Sequence, residues 1–153
     1  MKLRKGLSLV EIVAVIAIIA IISLAAIARF SNVNEAARVA TLESTFNTAV
    51  TAVHMHAALT GGQMPENYAD IAPHINGVDV ADAEDSLHDM FERIGGTINP
   101  VELTISFDDG HIRIEAEIAE LRNSFEGRAG EYANGTYTLI FDSSAGLDGT
   151  PTP

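Results

Sequence analysis

The sequence predicts an α+β fold: a long N-terminal α-helix packed on a small antiparallel β-sheet head. Three observations predict it. Residues 7–60 contain neither Pro nor Gly, so nothing breaks a helix there. Within that stretch the apolar pattern changes from continuous to one-sided. After residue 100 the apolar period falls to two, with Asp-Gly and Asn-Gly dipeptides between the alternating runs.

The first part of the helix, residues 7–28, reads LSLVEIVAVIAIIAIISLAAIA. As a helix it extends about 33 Å, enough for a bilayer core of about 30 Å. Lys2, Arg4 and Lys5 precede it, which predicts a cytoplasmic N-terminus for a single-pass membrane segment. Residues 29–60 continue the same helix as an amphipathic half. Val39, Leu42, Phe46, Val50, Val53 and Ala57 recur at spacings of three and four, on one face. Glu35 and Arg38 are placed to pair at i, i+3 on the wet side. Gly61-Gly62 is the stop.

Residues 61–153 read as the globular head. Pro65 to Ile71 suits a short helical turn. Asp79 is a candidate N-cap for a helix over Val80 to Ile94, with Val80, Ala83, Leu87, Met90, Phe91 and Ile94 on one face and Gly95-Gly96 as its stop. VELTISF (101–107) and HIRIEAEI (111–118) alternate, and Asp109-Gly110 between them is a hairpin signal. Asn134-Gly135 marks a second turn, before a third strand TYTLIFD (136–142). The tail SSAGLDGTPTP (143–153) reads as a loop or disordered end. A sheet with one greasy face needs a cover, and the stripe on the long helix supplies it.

Composition removes several function classes. The net charge is −12, although every lysine lies in the first six residues. The region after Gly61 has only Arg93, Arg113, Arg122 and Arg128 as cations. Such a surface repels phosphate backbones, so no nucleic-acid partner is expected. The absence of cysteine excludes disulfides, thiolate metal ligands and cysteine nucleophiles. There is no nucleophile elbow, phosphate loop or catalytic His–carboxylate signature, so no enzyme, catalytic residue or cofactor is expected. His54 and His56 point about 200° apart on a helix and cannot share an ion. His74, His88 and His111 have no ligand spacing. Asp108-Asp109-Gly110 is explained by its turn, and the tail acids Asp142 and Asp148 fall in no EF-hand pattern. No metal site is expected.

Glu11 stands inside the apolar run. Holding an ionisable group in hydrocarbon costs on the order of a few kcal/mol, and such groups are usually functional. A secretory signal peptide cut after Ala26-Ile27-Ala28, before Arg29, accounts for neither the length of the run nor Glu11. A plain single-pass anchor also leaves Glu11 without a role.

The segment Lys5-Gly6-Leu7-Ser8-Leu9-Val10-Glu11 resembles the class III leader of type IV prepilins and pseudopilins. The resemblance implies a pilin-like fold and cleavage after Gly6 by a prepilin peptidase on the cytoplasmic side. Residues 1–6 are then the leader, and Leu7 becomes the N-methylated first residue. Family members more often have Phe at that place. Glu11 falls where the family carries its glutamate. The segment ARFSNVNEAARVATLES (28–44) is similar to the matching helix of the mannose-sensitive haemagglutinin group of type IV pilins. Members of that group carry a C-terminal disulfide, which this chain lacks, so its distal loop must be held in another way. Major pseudopilins as a group hold calcium near the C-terminus, which draws attention to Asp142 and Asp148. Relatives often have a helix-breaking Gly or Pro where Ala20 and Ala28 stand here, which implies less melting of residues 20–28 in a filament.

The family implies a structural homo-oligomer, a helical filament built from the inner membrane by an assembly platform. The expected subunit belongs to a surface pilus for attachment, extracellular once assembled. A type II secretion pseudopilin is the alternative, and a membrane-anchored domain that does not polymerise is a third reading. In a staggered array the Leu7 amine of one chain can meet Glu11 of its neighbour, which selects one register among the many a smooth apolar rod would allow.

Overall fold

The structure is a computed structural model that describes the backbone of residues 9–145 and, except at residues 25–31 and 145, their side chains. The leader and Leu7 at one end, and Asp148 at the other, therefore lie outside the described residues. In chain order the elements are α1 (Leu9–Thr60), α2 (Tyr68–Ile71), a 3₁₀ turn (Ala72–His74), α3 (Ala83–Gly95), β1 (Val101–Asp108), β2 (His111–Ile118), β3 (Glu131–Ala133), β4 (Thr136–Asp142) and a second 3₁₀ turn (Ser143–Ala145). This is the α+β, pilin-like layout: a long N-terminal helix and a small four-stranded antiparallel sheet.

The chain forms two compact units, Met1–Asn34 and Glu35–Pro153. In the first, α1 is unbroken, and every described side chain from Leu9 to Leu24 is exposed. Ser23 donates its hydroxyl to the carbonyl of Ile19 at 2.7 Å, a local back-bond that leaves the helix intact. Among the described residues no helix is long and apolar enough to cross a membrane. The apolar run with described side chains covers Leu9–Leu24, about 24 Å as a helix against a hydrocarbon core of about 30 Å. Leu7, Ser8 and the side chains of residues 25–28, which complete the expected membrane segment, lie outside the described residues.

In the second unit the stripe on α1 covers the sheet. Val39, Leu42, Phe46, Ala49, Ala52, Val53 and Ala57 are buried, and Val50 packs half-buried beside them. At the end of α1, Gly61 takes φ +79° and the N–H of Gly62 donates to the carbonyl of Ala57 at 2.7 Å. That is a Schellman closure, which needs a residue free to turn left-handed.

The sheet order is β1-β2-β4-β3, all neighbours antiparallel. Period-two alternation places Val101, Leu103 and Ile105 of β1, then Ile112, Ile114, Ala116 and Ile118 of β2, and Tyr137, Leu139 and Phe141 of β4 in the core. Both expected hairpin turns form. Asp109 and Gly110 have φ +43° and +78°; Asn134 and Gly135 have +51° and +82°. Two successive left-handed residues make the tight turn whose twist matches its strands. The sheet has one strand more than expected: β3, only three residues long, pairs with β4 through Tyr132↔Tyr137. So short a strand carries almost no periodic signal, and what would have been the third strand is the fourth.

Four other expectations are corrected. The short helical turn starts at Tyr68, not Pro65, and continues as 3₁₀ to His74. The next helix starts at Ala83 rather than Val80. The Asp79 carboxylate accepts the N–H of Ala81 at 2.9 Å, a local turn that competes with helix, and Val80 is left exposed. From Ala83 onward the expected face holds: Ala83, Leu87 and Phe91 are buried, with Met90 and Ile94 packed beside them. α3 ends on Gly95, where a Cβ would lie 2.8 Å from the backbone N of Val101. The tail also begins with structure, since Ser143 Oγ accepts the N–H of Ile112 at 2.8 Å.

The fourth correction concerns Glu35 and Arg38, which do not pair on a wet face. Glu35 is buried, and its Oε2 accepts the N–H of Arg122 (3.2 Å), the N–H of Asn123 (3.1 Å) and Asn123 Nδ2 (2.6 Å). Arg38 donates instead to the carbonyl of Gly95 (2.7 Å) and to Asn99 Oδ1 (3.0 Å). Asn99, itself buried, passes its amide on to the carbonyls of Ala119 and Glu120. A buried donor stripped of its partner costs about 1–3 kcal/mol. Glu35→Ala is therefore expected to lower head stability by at least that amount, about 1–3 kcal/mol, and chemical denaturation of the full chain in detergent measures it.

Candidate functional site

Two sets of residues merit description: the N-terminal segment, and the polar contacts that hold the head on α1. Gly6 and Leu7 lie outside the described residues. Glu11 stands in the first turn of α1 as described, on an exposed part of the helix surface among apolar neighbours. Leu9 and Val10 before it, and Ile12 and Val13 after it, are all exposed.

In the head, the segment 119–130 between β2 and β3 has no regular structure except turns. Polar contacts fasten it to α1. Glu35 holds one end through Arg122 and Asn123. Glu43 holds the other. Arg128 meets Glu43 in a two-pronged pair, Nε to Oε1 at 2.8 Å and Nη2 to Oε2 at 2.6 Å. The hydroxyl of Tyr137 donates to Glu43 Oε1 at 2.6 Å and accepts the N–H of Gly130 at 2.7 Å. Gly130 has to be glycine here: a Cβ would lie 2.4 Å from the carbonyl oxygen of Thr138. Charge-assisted, bidentate bonds of this kind are the stronger class of hydrogen bond. They give a chain without cysteine another way to hold a long loop. The end of β4 is held separately, by the Ser143 bond to β2 and by Arg113, 3.7 Å from Asp142.

These contacts shift the groups involved. The hydrogen bond from Arg128 holds the Glu43 carboxyl below its usual value, against the opposing effect of burial, and Tyr137 adds to the lowering. Burial pushes the Tyr137 phenol up to about 12, and its bond to Glu43 pushes in the same direction. Asp142 is lowered by its bonds to the hydroxyl and N–H of Ser144. That commitment to Ser144 is what the structure gives Asp142 where calcium had drawn attention to it.

The histidines are dispersed in sequence, but not all in space. His54 lies edge-on to Phe141, with ring centroids 5.5 Å apart, and its buried Nε2 has no hydrogen-bond partner among the described residues. His56 faces the other way, as its spacing from His54 requires, and lies 6.1 Å from the ring of His74. His88 is beside Tyr68. Among the described residues no group of three or more His, Cys, Asp or Glu side chains is arranged to hold a metal ion. Spacing along the chain could not reveal the His56–His74 approach or the Glu43–Arg128–Tyr137 cluster, because each joins distant segments.

The fold is a helix-plus-sheet layout of pilin-like type. Residues 1–27 match the family model for the prokaryotic N-terminal methylation motif, and this match supports the type IV pilin and pseudopilin family. No curated protein and no solved structure matches the chain.

The head contacts predict an acid limb to stability. Because folding depresses the carboxyl of Glu43, its contribution is complete above the unfolded value near 4.5 and is lost as pH falls through the lower folded value. The stability gap between wild type and Glu43→Gln is expected to narrow below about pH 4.5, as read from denaturation midpoints along a pH series. Tyr137 is shifted the opposite way, so its contribution is complete below the unfolded value of 10 and lost as pH rises through about 12. Phenol absorbance should show one tyrosine titrating near 12 that Tyr137→Phe removes.

Proposed function

We propose that this chain is the structural subunit of a type IV pilus, a surface fibre serving attachment, and that it becomes competent for assembly by losing residues 1–6. The observation that carries this reading is the methylation motif over residues 1–27, with Gly6, Leu7 and Glu11 in register. Hydrolysis of the Gly6–Leu7 peptide bond by a prepilin peptidase frees an amine on Leu7, which the enzyme then methylates. Before assembly, residues 7–28 hold the subunit in the inner membrane with the N-terminus cytoplasmic. Residues 29–60 form the spine of the head, and residues 61–153 complete it. An inner-membrane platform then adds subunits to the growing fibre.

Physical chemistry supports an assembly role for Glu11. The methylated amine keeps its positive charge. In a staggered array it lies within reach of Glu11 on the neighbouring chain, and the two charges offset each other's desolvation. Removing one member of such a buried pair typically costs about 3–5 kcal/mol. An uncleaved leader puts no amine at that place and adds three cations, Lys2, Arg4 and Lys5, so it blocks the register. The described apolar run, exposed from Leu9 to Leu24, is surface that a bundle of identical helices would bury.

The methylation motif also fits a pseudopilin of a type II secretion system, whose short fibre pushes substrates outward. The likeness of residues 28–44 to an attachment pilin favours the pilus. In either case the role is mechanical rather than catalytic.

Mass spectrometry of the mature N-terminus should find methylated Leu7; an intact leader, or a chain starting at Arg29, would refute the processing. Electron microscopy of fibres sheared from cells should find this chain as their repeating subunit, and its absence from them would favour the pseudopilin. Glu11→Leu should insert normally but give no fibres or misregistered ones. Normal fibres from that variant would remove the role assigned to Glu11.

A further inference from the structure

The approach of His56 and His74 is the feature that neither the fold nor the fibre accounts for. His56 lies on α1 and His74 ends the 3₁₀ turn after α2, with the Gly61-Gly62 break and an irregular loop between them. Their ring centroids are 6.1 Å apart at 68°. Both side chains are half-buried, so each has packed support and an open side.

The hydrogen bond on His56 sets its chemistry. Nδ1 lies 3.1 Å from the carbonyl oxygen of Asp70. A carbonyl can only accept, so Nδ1 carries the proton and Nε2 keeps its lone pair. An imidazole oriented by donating its other N–H to a backbone carbonyl is the arrangement typical of metal-ligating histidines.

We propose that His56 and His74 form an open, two-imidazole site for a borderline divalent transition-metal ion such as Zn²⁺ or Cu²⁺. Imidazole nitrogen is a preferred ligand for these ions. With metal–nitrogen bonds of about 2.0–2.1 Å, two rings on one tetrahedral ion have centroids roughly 5 Å apart. The observed separation lies within about 1 Å of that, a distance that small side-chain rotations close. Water completes the coordination shell from the open side. The bound ion joins α1 to the α2 segment across the loop after Gly61, a cross-link in a chain that has no cysteine to make one. Because the unfolded chain does not hold the two rings together, occupancy stabilises the head by mass action.

The experiment is isothermal titration of Zn²⁺, then of Cu²⁺, into the full chain in detergent, paired with thermal unfolding with and without metal. Saturable binding of one ion is expected, with a rise in Tm. His56→Ala and His74→Ala should each weaken binding on the order of tenfold or more, the scale set by losing a ligand or its support. Both should abolish the metal-dependent rise in Tm. His74→Gln, which keeps the polarity and approximate volume, should do the same while folding normally. His111→Ala, at the start of β2, should bind as wild type does. Absence of saturable binding by either ion, or an unchanged isotherm in the folded His56→Ala/His74→Gln double variant, would reduce the pair to an edge contact between rings and overturn the proposal.

Discussion

The apolar stripe of α1 is what the head depends on. From Val39 to Ala57 one face of the helix is buried, and the sheet's inner face supplies the surface that buries it. Each fully buried Leu, Val or Phe contributes about 1.5–3 kcal/mol relative to exposure. An amphipathic sheet of four strands with no cover would leave Ile112, Ile114, Ile118 and Leu139 in water. The helix therefore acts as the other half of the core; two tight hairpins fix the β1–β2 and β3–β4 neighbours, and the connection over residues 119–130 lets β4 pair beside β2.

Around that apolar contact the structure places acids where most folds would use grease or sulfur. Glu35 and Glu43 sit two turns apart on α1, and each binds the same irregular segment, residues 119–130. Long irregular loops gain few packing contacts and keep much of their entropy. Fastening both ends to a helix limits that freedom without a covalent bond. The cost is a dependence on ionisation, since a protonated Glu43 gives up its charge-assisted bonds to Arg128.

The same chain presents two kinds of surface. From Leu9 to Leu24 the first unit is apolar and exposed, interrupted by Glu11 and Ser23. The head is acidic, and its charge keeps heads soluble and apart. In the proposed fibre, burial would favour association of the apolar helices, and Glu11 would restrict which association is permitted.

Much of this was legible from residues alone, for a physical reason. Helix and strand periods, Gly61-Gly62, Asp109-Gly110 and Asn134-Gly135 depend on local sterics and on which side of an element is greasy, and these are written in neighbouring residues. So is the methylation motif over residues 1–27, which is a contiguous segment. Tertiary structure alone decided the burial of Glu35, the partnership of Arg38 with Gly95 and Asn99, the cluster of Glu43, Arg128 and Tyr137, the pairing of the three-residue β3, and the meeting of His56 with His74. Each joins residues far apart in the chain, and their chemistry depends on distances that only the folded backbone sets.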